Sequence, residues 1–228
     1  GHSHSTVASE AVKDKDGKEV TLSQTGTKLA AIGELIITAD GKISTSLVTD
    51  YAAKDEKTAS LIKEVKDKIE AVSSKKVGTS EVLLTTLDAE GKRAVRNQET
   101  TMGNFCADAY RIIGGADIGV VQGGGVRADI KAGDVTYGDI IALHPWGNMY
   151  GVIEATGQQI LDALELGARS TPDEVGGFLQ VSGISYEIDT TVPSTVVTDE
   201  NAMFVKVAGA RRVVNVKVGG VPIDPKKT

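Results

Sequence analysis

The stretch RNQETTMGNFCADAYRIIGG, residues 96–115, decides how the second half of this 228-residue chain is organised. Its apolar residues recur at helical spacing, namely Met102, Phe105, Cys106, Ala109, Tyr110 and Ile113. Thr100 is a favourable N-cap, and two glycines after Ile113 are typical of a helix end. We therefore predict an amphipathic helix, with Cys106 as a buried structural thiol rather than a nucleophile.

Beyond this helix, helices and strands alternate without a regular βαβ repeat. The predicted elements are a strand at DIGVVQ, a short helix capped by Thr136, a turn at HPWGN, a strand from Met149 to Ala155, a helix opened by a capping box of Thr156 and Gln159, and later β segments in LQVSGISYEI, MFVKVAG and VVNVKVGG. This pattern predicts an α+β fold or a mixed sheet.

Before it, residues 1–50 carry strand patterns separated by Asp-Gly turns. Three or four strands in that length bury too little apolar surface to form an independent domain, so we expect them to end a larger one. A 3.6-residue period of apolar residues from Asp55 to Val72 predicts an amphipathic helix with a solvated charged face. SSKKVGTS, residues 73–80, then reads as a hinge-like connector.

Composition excludes several functional classes. The net charge of −6 argues against a broad basic face for a nucleic-acid polymer. No run approaches the ~18 apolar residues of a membrane-spanning helix, and one cysteine cannot form an internal disulfide. No signal peptide is visible, so the residues do not specify a compartment.

Three loops carry the residues suited to chemistry. VVQGGGVRADI places Arg127 behind three glycines, whose backbone can approach a ligand closely. KRAVRNQETTMGN adds Lys92, Arg93 and Arg96 before a helix start, where an anion is favoured. Trp146, the only tryptophan, lies in a Pro-Gly turn and is either a core plug or a stacking surface for a flat ring. The glycines alone also fit an ordinary turn, but an arginine cluster beside a stacking indole suggests a nucleotide.

The first residues, GHSH, contain His2 and His4. A short N-terminal segment with histidines is typical of an expression remnant. The same spacing also suits the edge of a metal site, and these residues alone leave both interpretations open.

Five segments in this order resemble the C-terminal domain of the 5′-nucleotidase family: RNQETTMGNFCADA, ADIGVVQGGGVRADI, GDVTYGDIIALHPWGN, EATGQQILDALE and GGFLQVSGISYEID. The resemblance implies a four-layer-like mixed α/β domain at 81–228, truncated at its C-terminus. It implies that 1–50 is the end of a calcineurin-like metallophosphatase domain and that 51–80 is a linker helix and connector.

The resemblance also implies roles for individual residues. Arg96 and Arg127 would hold a substrate phosphate, with Arg93 or Lys92 in the place of a further arginine. Trp146 would be one plate of a base sandwich, followed by Asn148. Gln122 stands where some members have an asparagine that contacts the nucleoside. Gly124 and Gly125, in the glycine turn, would also belong to the substrate-binding residues.

For the whole protein, the resemblance implies an exported phosphohydrolase with two divalent metal ions, such as zinc or manganese. His2 and His4 would be metal ligands, and the remaining ligands would lie upstream, so this fragment alone is expected to bind no metal and to be inactive. Its partner would be a nucleotide: a nucleoside 5′-monophosphate, a UDP-sugar or a cyclic nucleotide. The alternatives are a non-catalytic nucleotide-binding module of the cell surface and a sulfur-compound hydrolase with the same two-domain plan.

Overall fold

A computed structural model describes residues 4–228 of the chain. The elements are β1 (Thr6–Lys13), β2 (Glu19–Thr25), β3 (Ile32–Ile37), β4 (Ile43–Val48), α1 (Glu56–Ser73), β5 (Lys76–Ser80), α2 (Thr101–Gly114), β6 (Gly119–Gln122), β7 (Gly133–Thr136), α3 (Tyr137–Leu143), α4 (Gly157–Ala168), β8 (Leu179–Ser182), β9 (Ile184–Ile188), β10 (Val196–Thr198), β11 (Phe204–Val207), β12 (Val213–Val218) and β13 (Val221–Pro222). The predicted α+β class is confirmed. The chain divides into two compact units, with the boundary inside α1, between Val65 and Lys66.

The first unit consists of two antiparallel hairpins, β1–β2 and β3–β4. Gly17 and Gly41 occupy the turns with positive φ, as the Asp-Gly pairs predict. The Thr45 hydroxyl joins the hairpins by donating to the Ala8 carbonyl oxygen at 2.9 Å. None of residues 4–65 is buried. As expected from the sequence, these strands have no core of their own within the described chain.

The predicted amphipathic helix is α1, and its apolar stripe is exposed in the described structure. The Asp55 carboxylate accepts from the Thr58 amide at 2.7 Å and so caps the first turn. The stripe comprises Leu61, Ile62, Val65, Ile69 and Val72. The connector expected at 73–80 is structured in its second half, because β5 pairs antiparallel with β7.

Helix α2 packs on the first hydrophobic core of the second unit. Thr100 accepts from the Gly103 amide, and Gly115 closes the helix in the left-handed conformation. The core contains Val95, Met102, Cys106, Ala107, Val121, Val126, Ile130, Val135 and Leu143. Cys106 is 2% exposed in this core, as predicted for a structural thiol, and burial raises the pKa of the thiol to about 12.

Strand β8 lies between this core and a second one. Leu179 and Val181 pack against the second core, which is built from α4, β9 and β12. Gln180 and Ser182, on the other face of β8, are buried on the side of α2. Strand β8 pairs antiparallel with β6, and the register brings Gln122 opposite Leu179. The glycine turn that follows β6 therefore begins beside the start of β8.

The strand predicted from Met149 to Ala155 is wrong, because the structure has no regular element there. The side chains of Met149 and Ile153 are 95% and 84% exposed. A β-strand needs a neighbouring backbone to satisfy its amides and carbonyls. Alternating apolar residues give the local propensity for a strand but cannot supply that neighbour.

Candidate functional site

Three loops of the second unit converge at the end of β6. We call them the arginine loop (92–98), the glycine turn (122–127) and the acidic loop (171–178). The Val175 amide donates to the Arg96 carbonyl oxygen at 3.0 Å, and the Gly124 amide donates to the Gly176 carbonyl oxygen at 2.8 Å. The acidic loop is therefore hydrogen-bonded to both other loops, which fixes the three backbones relative to one another.

The glycine turn requires glycine where it touches its neighbours. A Cβ at Gly123 would lie 1.9 Å from the Val95 carbonyl oxygen and 3.2 Å from the Arg96 Cα. A Cβ at Gly124 would lie 2.9 Å from the Gly176 carbonyl oxygen. At Gly125 it would meet only the Gln122 side chain, at 3.5 Å. Close packing against the arginine loop and the acidic loop explains the first two glycines.

Arg96 is half-buried among like charges. Burial is the largest cause that lowers its pKa, followed by the positive charges of Arg93 and Arg127, while the negative charge of Glu174 opposes them. Arg96 is thus close enough to both Arg93 and Arg127 to be repelled by each, and close enough to Glu174 to be attracted by it. Arginine remains protonated despite such a shift, so this cluster attracts an anion.

Arg93 and Glu174 form a two-pronged ion pair between the arginine loop and the acidic loop. The Arg93 Nε donates to the Glu174 Oε1 at 2.8 Å, and the Arg93 Nη2 donates to Oε2. This hydrogen bond is the largest cause that lowers the pKa of Glu174, and the charge of Arg96 also lowers it. Glu174 therefore stays ionised beside the cluster.

Arg127 connects the cluster with the indole of Trp146. Its guanidinium carbon lies 5.1 Å from the ring centroid of Trp146, a cation–π distance. Its Nη1 donates to the Gly124 carbonyl oxygen at 3.3 Å. Trp146 is 57% exposed, so it is not a core plug. The indole therefore presents exposed ring surface beside Arg127.

Two positioning residues of this site escaped the sequence analysis. Gln180 is 2% exposed, and its amide nitrogen donates to the carbonyl oxygens of Val95 at 3.0 Å and Gln98 at 2.6 Å. Its amide oxygen accepts from the Thr100 amide at 3.1 Å. Gln180 thus holds both ends of the segment that carries Arg96. The alternation of LQVS could have flagged it, since its polar residues face inward.

The second is Asp129, which follows Arg127 in the chain. One carboxylate oxygen accepts from the Thr86 amide and hydroxyl, both at 2.7 Å. The Thr86 carbonyl oxygen in turn accepts from the amides of Ala94 and Val95, at 2.9 Å and 3.1 Å. Asp129 therefore connects the backbone near Arg127 to the arginine loop.

The remaining candidate residues are less constrained. Gln122 and Asn148 are exposed, the first at the start of the glycine turn and the second two residues beyond Trp146. His4 is exposed near the start of the described chain, and His2 lies outside the described residues. Within residues 4–228, no three His, Cys, Asp or Glu side chains gather as a metal site would require.

A separate cleft of about 360 Å³ lies between the start of α2 and strands β8 and β9. Asn97, Gln98 and Tyr186 are among the residues that line it, but Arg96, Arg127 and Trp146 are not. The arginine cluster and the indole are thus not part of this cleft. None of the described helices is long and apolar enough to cross a bilayer.

Comparison with known proteins identifies relatives of this chain. The trifunctional nucleotide phosphoesterase protein YfkN of Bacillus subtilis is 34% identical over 157 residues, which cover 67% of this chain and 10% of that protein. Protein UshA of Escherichia coli is 30% identical over 190 residues, 83% of this chain and 30% of that protein. The chain therefore spans less than a third of either relative.

A solved structure agrees with the fold. The 5′-nucleotidase precursor from Thermus thermophilus matches with a TM-score of 0.72 and 28% identity, over 99% of this chain and 46% of that one. Residues 76–228, more than half of this chain, match the family described as 5′-nucleotidase, C-terminal domain. The family match begins at the first residue of β5, and it contains all three loops of the candidate site. The chain belongs to the 5′-nucleotidase family and contains its C-terminal, substrate-binding domain.

Proposed function

We propose that this chain is the substrate-binding part of a metal-dependent phosphohydrolase that releases phosphate from nucleoside 5′-monophosphates or related nucleotides, including UDP-sugars and cyclic nucleotides. One observation carries the proposal: Arg96 lies within reach of the charges of Arg93 and Arg127, and Arg127 lies over the exposed indole of Trp146. A nucleotide has both the anion and the flat ring that such a surface would bind.

Each group has a definite role in this proposal. Arg96 and Arg127 donate to the oxygens of the phosphate, while the glycine turn lets the backbone stay close to it. Arg127 covers one face of the Trp146 indole, and the base stacks on the other face. Gln122 and Asn148 contact the nucleoside. Charge-assisted and stacking contacts each contribute about 1–3 kcal/mol to binding.

Metal dependence and the upstream part of the protein belong to the proposal through resemblance. His2 and His4 would be ligands of two divalent ions in a metallophosphatase domain, of which residues 1–50 would be the end and residues 51–80 the linker. Bound metals of this kind activate water and clamp phosphoryl oxygens. The described residues hold no ligand cluster that could do so, and we therefore assign them only substrate binding. Export from the cytoplasm is likewise proposed from resemblance.

Titration of the 228-residue chain with AMP tests the binding role. Trp146 is the only tryptophan, so its fluorescence reports on the site directly. We expect AMP to quench it, adenosine and inorganic phosphate to bind more weakly than AMP, and Arg127→Ala to weaken AMP binding roughly tenfold. Lys131→Ala, which removes an exposed positive charge elsewhere, is the matched control. Equal affinity of AMP and inorganic phosphate would contradict nucleoside recognition.

The catalytic role needs the longer protein. Phosphate release from AMP, UDP-glucose and cyclic nucleotides should be measured with divalent metal present and after chelation. Release that depends on metal supports the hydrolase. Nucleotide binding without release from any of these compounds would instead identify a non-catalytic binding module.

A further inference from the structure

Glu174 is a feature of the candidate site that a simple anion-binding role does not explain. Its carboxylate occupies the fork of Arg93, with Nε to Oε1 at 2.8 Å, on the loop that also hydrogen-bonds the Arg96 backbone. A negative charge in a site for anions weakens the binding of every anion there. Some other property of the site must therefore depend on it.

Stability does not account for this carboxylate. The side chains of Arg93 and Glu174 are 50% and 33% exposed. Ion pairs with that much solvent contact contribute little to the free energy of unfolding. The backbone bonds from Val175 to Arg96 and from Gly124 to Gly176 already join the loops without it.

The charges of the cluster suggest what the carboxylate does. Arg93, Arg96 and Arg127 together carry three positive charges, and Glu174 takes up the one on Arg93. Among the described residues, the guanidiniums of Arg96 and Arg127 have no carboxylate partner of this kind. Their two positive charges equal the two negative charges of one phosphate monoester dianion. A ligand with further phosphate groups brings more negative charge toward the Glu174 carboxylate, or has to displace it from Arg93.

We infer that Glu174 is a specificity-determining residue, which restricts this site to ligands with no more than about two negative charges by occupying Arg93 and repelling additional negative charge. The inference rests on the proposed function only in that the site binds phosphate. Nucleoside monophosphates and UDP-sugars fall within this limit on ligand charge, and nucleoside triphosphates exceed it.

The test compares inorganic phosphate, pyrophosphate and tripolyphosphate as probes, on the full 228-residue chain at low ionic strength, where screening is weakest. Glu174→Gln removes the charge and keeps the size of the side chain. We expect tripolyphosphate affinity to rise roughly tenfold and phosphate affinity to change by less, so that the ratio of the two dissociation constants shifts. Asp173→Asn, which removes an exposed carboxylate one residue away, is the control and should leave this ratio unchanged.

A second comparison separates occupation of Arg93 from general repulsion. In an Arg93→Ala background, Glu174→Gln should raise tripolyphosphate affinity by less than it does with Arg93 present. An unchanged ratio in Glu174→Gln, or the same change in Asp173→Asn, would overturn the inference even if AMP binds as proposed. Conversely, equal affinity for AMP and inorganic phosphate would contradict the proposed nucleotide function. A shift in the ratio of tripolyphosphate to phosphate dissociation constants in Glu174→Gln would still support the inference about Glu174.

Discussion

The second unit contains two contrasting charged regions, the arginine cluster and the surroundings of the buried Glu165 carboxylate. Glu165 is fully buried, and its two oxygens accept from the amides of Arg212 and Val213, both at 3.0 Å. The Arg212 side chain is also buried, and its guanidinium donates to the carbonyl oxygens of Val192, Ala168 and Arg169. In the cluster, by contrast, positive charges lie close together with a single carboxylate among them.

The difference separates charges that hold the fold from charges that are open to a ligand. A buried charge is tolerated when it is hydrogen-bonded, as Glu165 and Arg212 are. An exposed group of like charges stabilises nothing by itself and is favourable only when an anion arrives. Substitutions at Glu165 or Arg212 should therefore lower stability more than anion binding, and substitutions in the arginine cluster should lower anion binding more than stability.

The largest effect is expected for Glu165→Gln. The amide nitrogen of the new side chain would face a backbone N–H, which leaves a buried donor without an acceptor. We expect the free energy of unfolding to fall by about 3 kcal/mol in urea denaturation. Glu200→Gln, on an exposed loop, is the control and should cost almost nothing. A small effect at Glu165 would mean that its hydrogen bonds are easily replaced by water.

Gln180→Leu should affect stability and binding together. It removes the bonds to Val95, Gln98 and Thr100, and we expect a loss of about 2 kcal/mol in the free energy of unfolding. Because the arginine loop loses its anchor, binding of inorganic phosphate should weaken as well. Retained phosphate affinity in this variant would show that the loop is held without Gln180.

Arg96→Ala should affect binding and spare stability. Loss of one charge-assisted contact predicts about 1.5 kcal/mol weaker phosphate binding, roughly tenfold in the dissociation constant. The melting temperature should stay the same or rise, because repulsion from Arg93 and Arg127 is relieved. A marked loss of stability would place Arg96 with Glu165 among the residues that hold the fold.

The smallest effect is expected from the pH dependence of His144, which lies beside the glycine turn. Burial lowers its pKa from the model-compound value of 6.5, and a hydrogen bond with the Gly125 backbone opposes this. The unfolded chain therefore binds more protons, so His144 favours the folded state above pH 6.5, and this stability is lost as the pH falls toward the lower folded-state pKa. His144→Phe keeps a ring against Tyr110, whose centroid is 5.8 Å away, and should flatten the melting-temperature profile below pH 6.5. Identical profiles for the two proteins would contradict this assignment.

The features that sequence predicted best are local. The N-caps at Thr100, Thr136 and Thr156 depend on residues within one helical turn, and each is present in the structure. The candidate arginines and Trp146 were identified by residue type and by resemblance, and the structure brings Arg93, Arg96, Arg127 and Trp146 together.

What sequence missed depends on distant partners. Glu174 pairs with Arg93 across 81 positions, and this role has no local signal. Gln180 bonds to Val95 across 85 positions, and the alternation of LQVS can indicate that Gln180 is buried but not which residue it bonds to. The strand predicted from Met149 to Ala155 failed for the same reason, since its residues suit a strand but no pairing is formed. Pairing between distant segments has to be known before such residues can be assigned.

The burial of Cys106 has a practical consequence. It is the only cysteine, and a thiol with a pKa of about 12 contains almost no thiolate at neutral pH. Maleimide dyes and thiol-reactive nitroxide labels should therefore not react with the native chain. One engineered surface cysteine would carry the label selectively, with no need to replace Cys106 first.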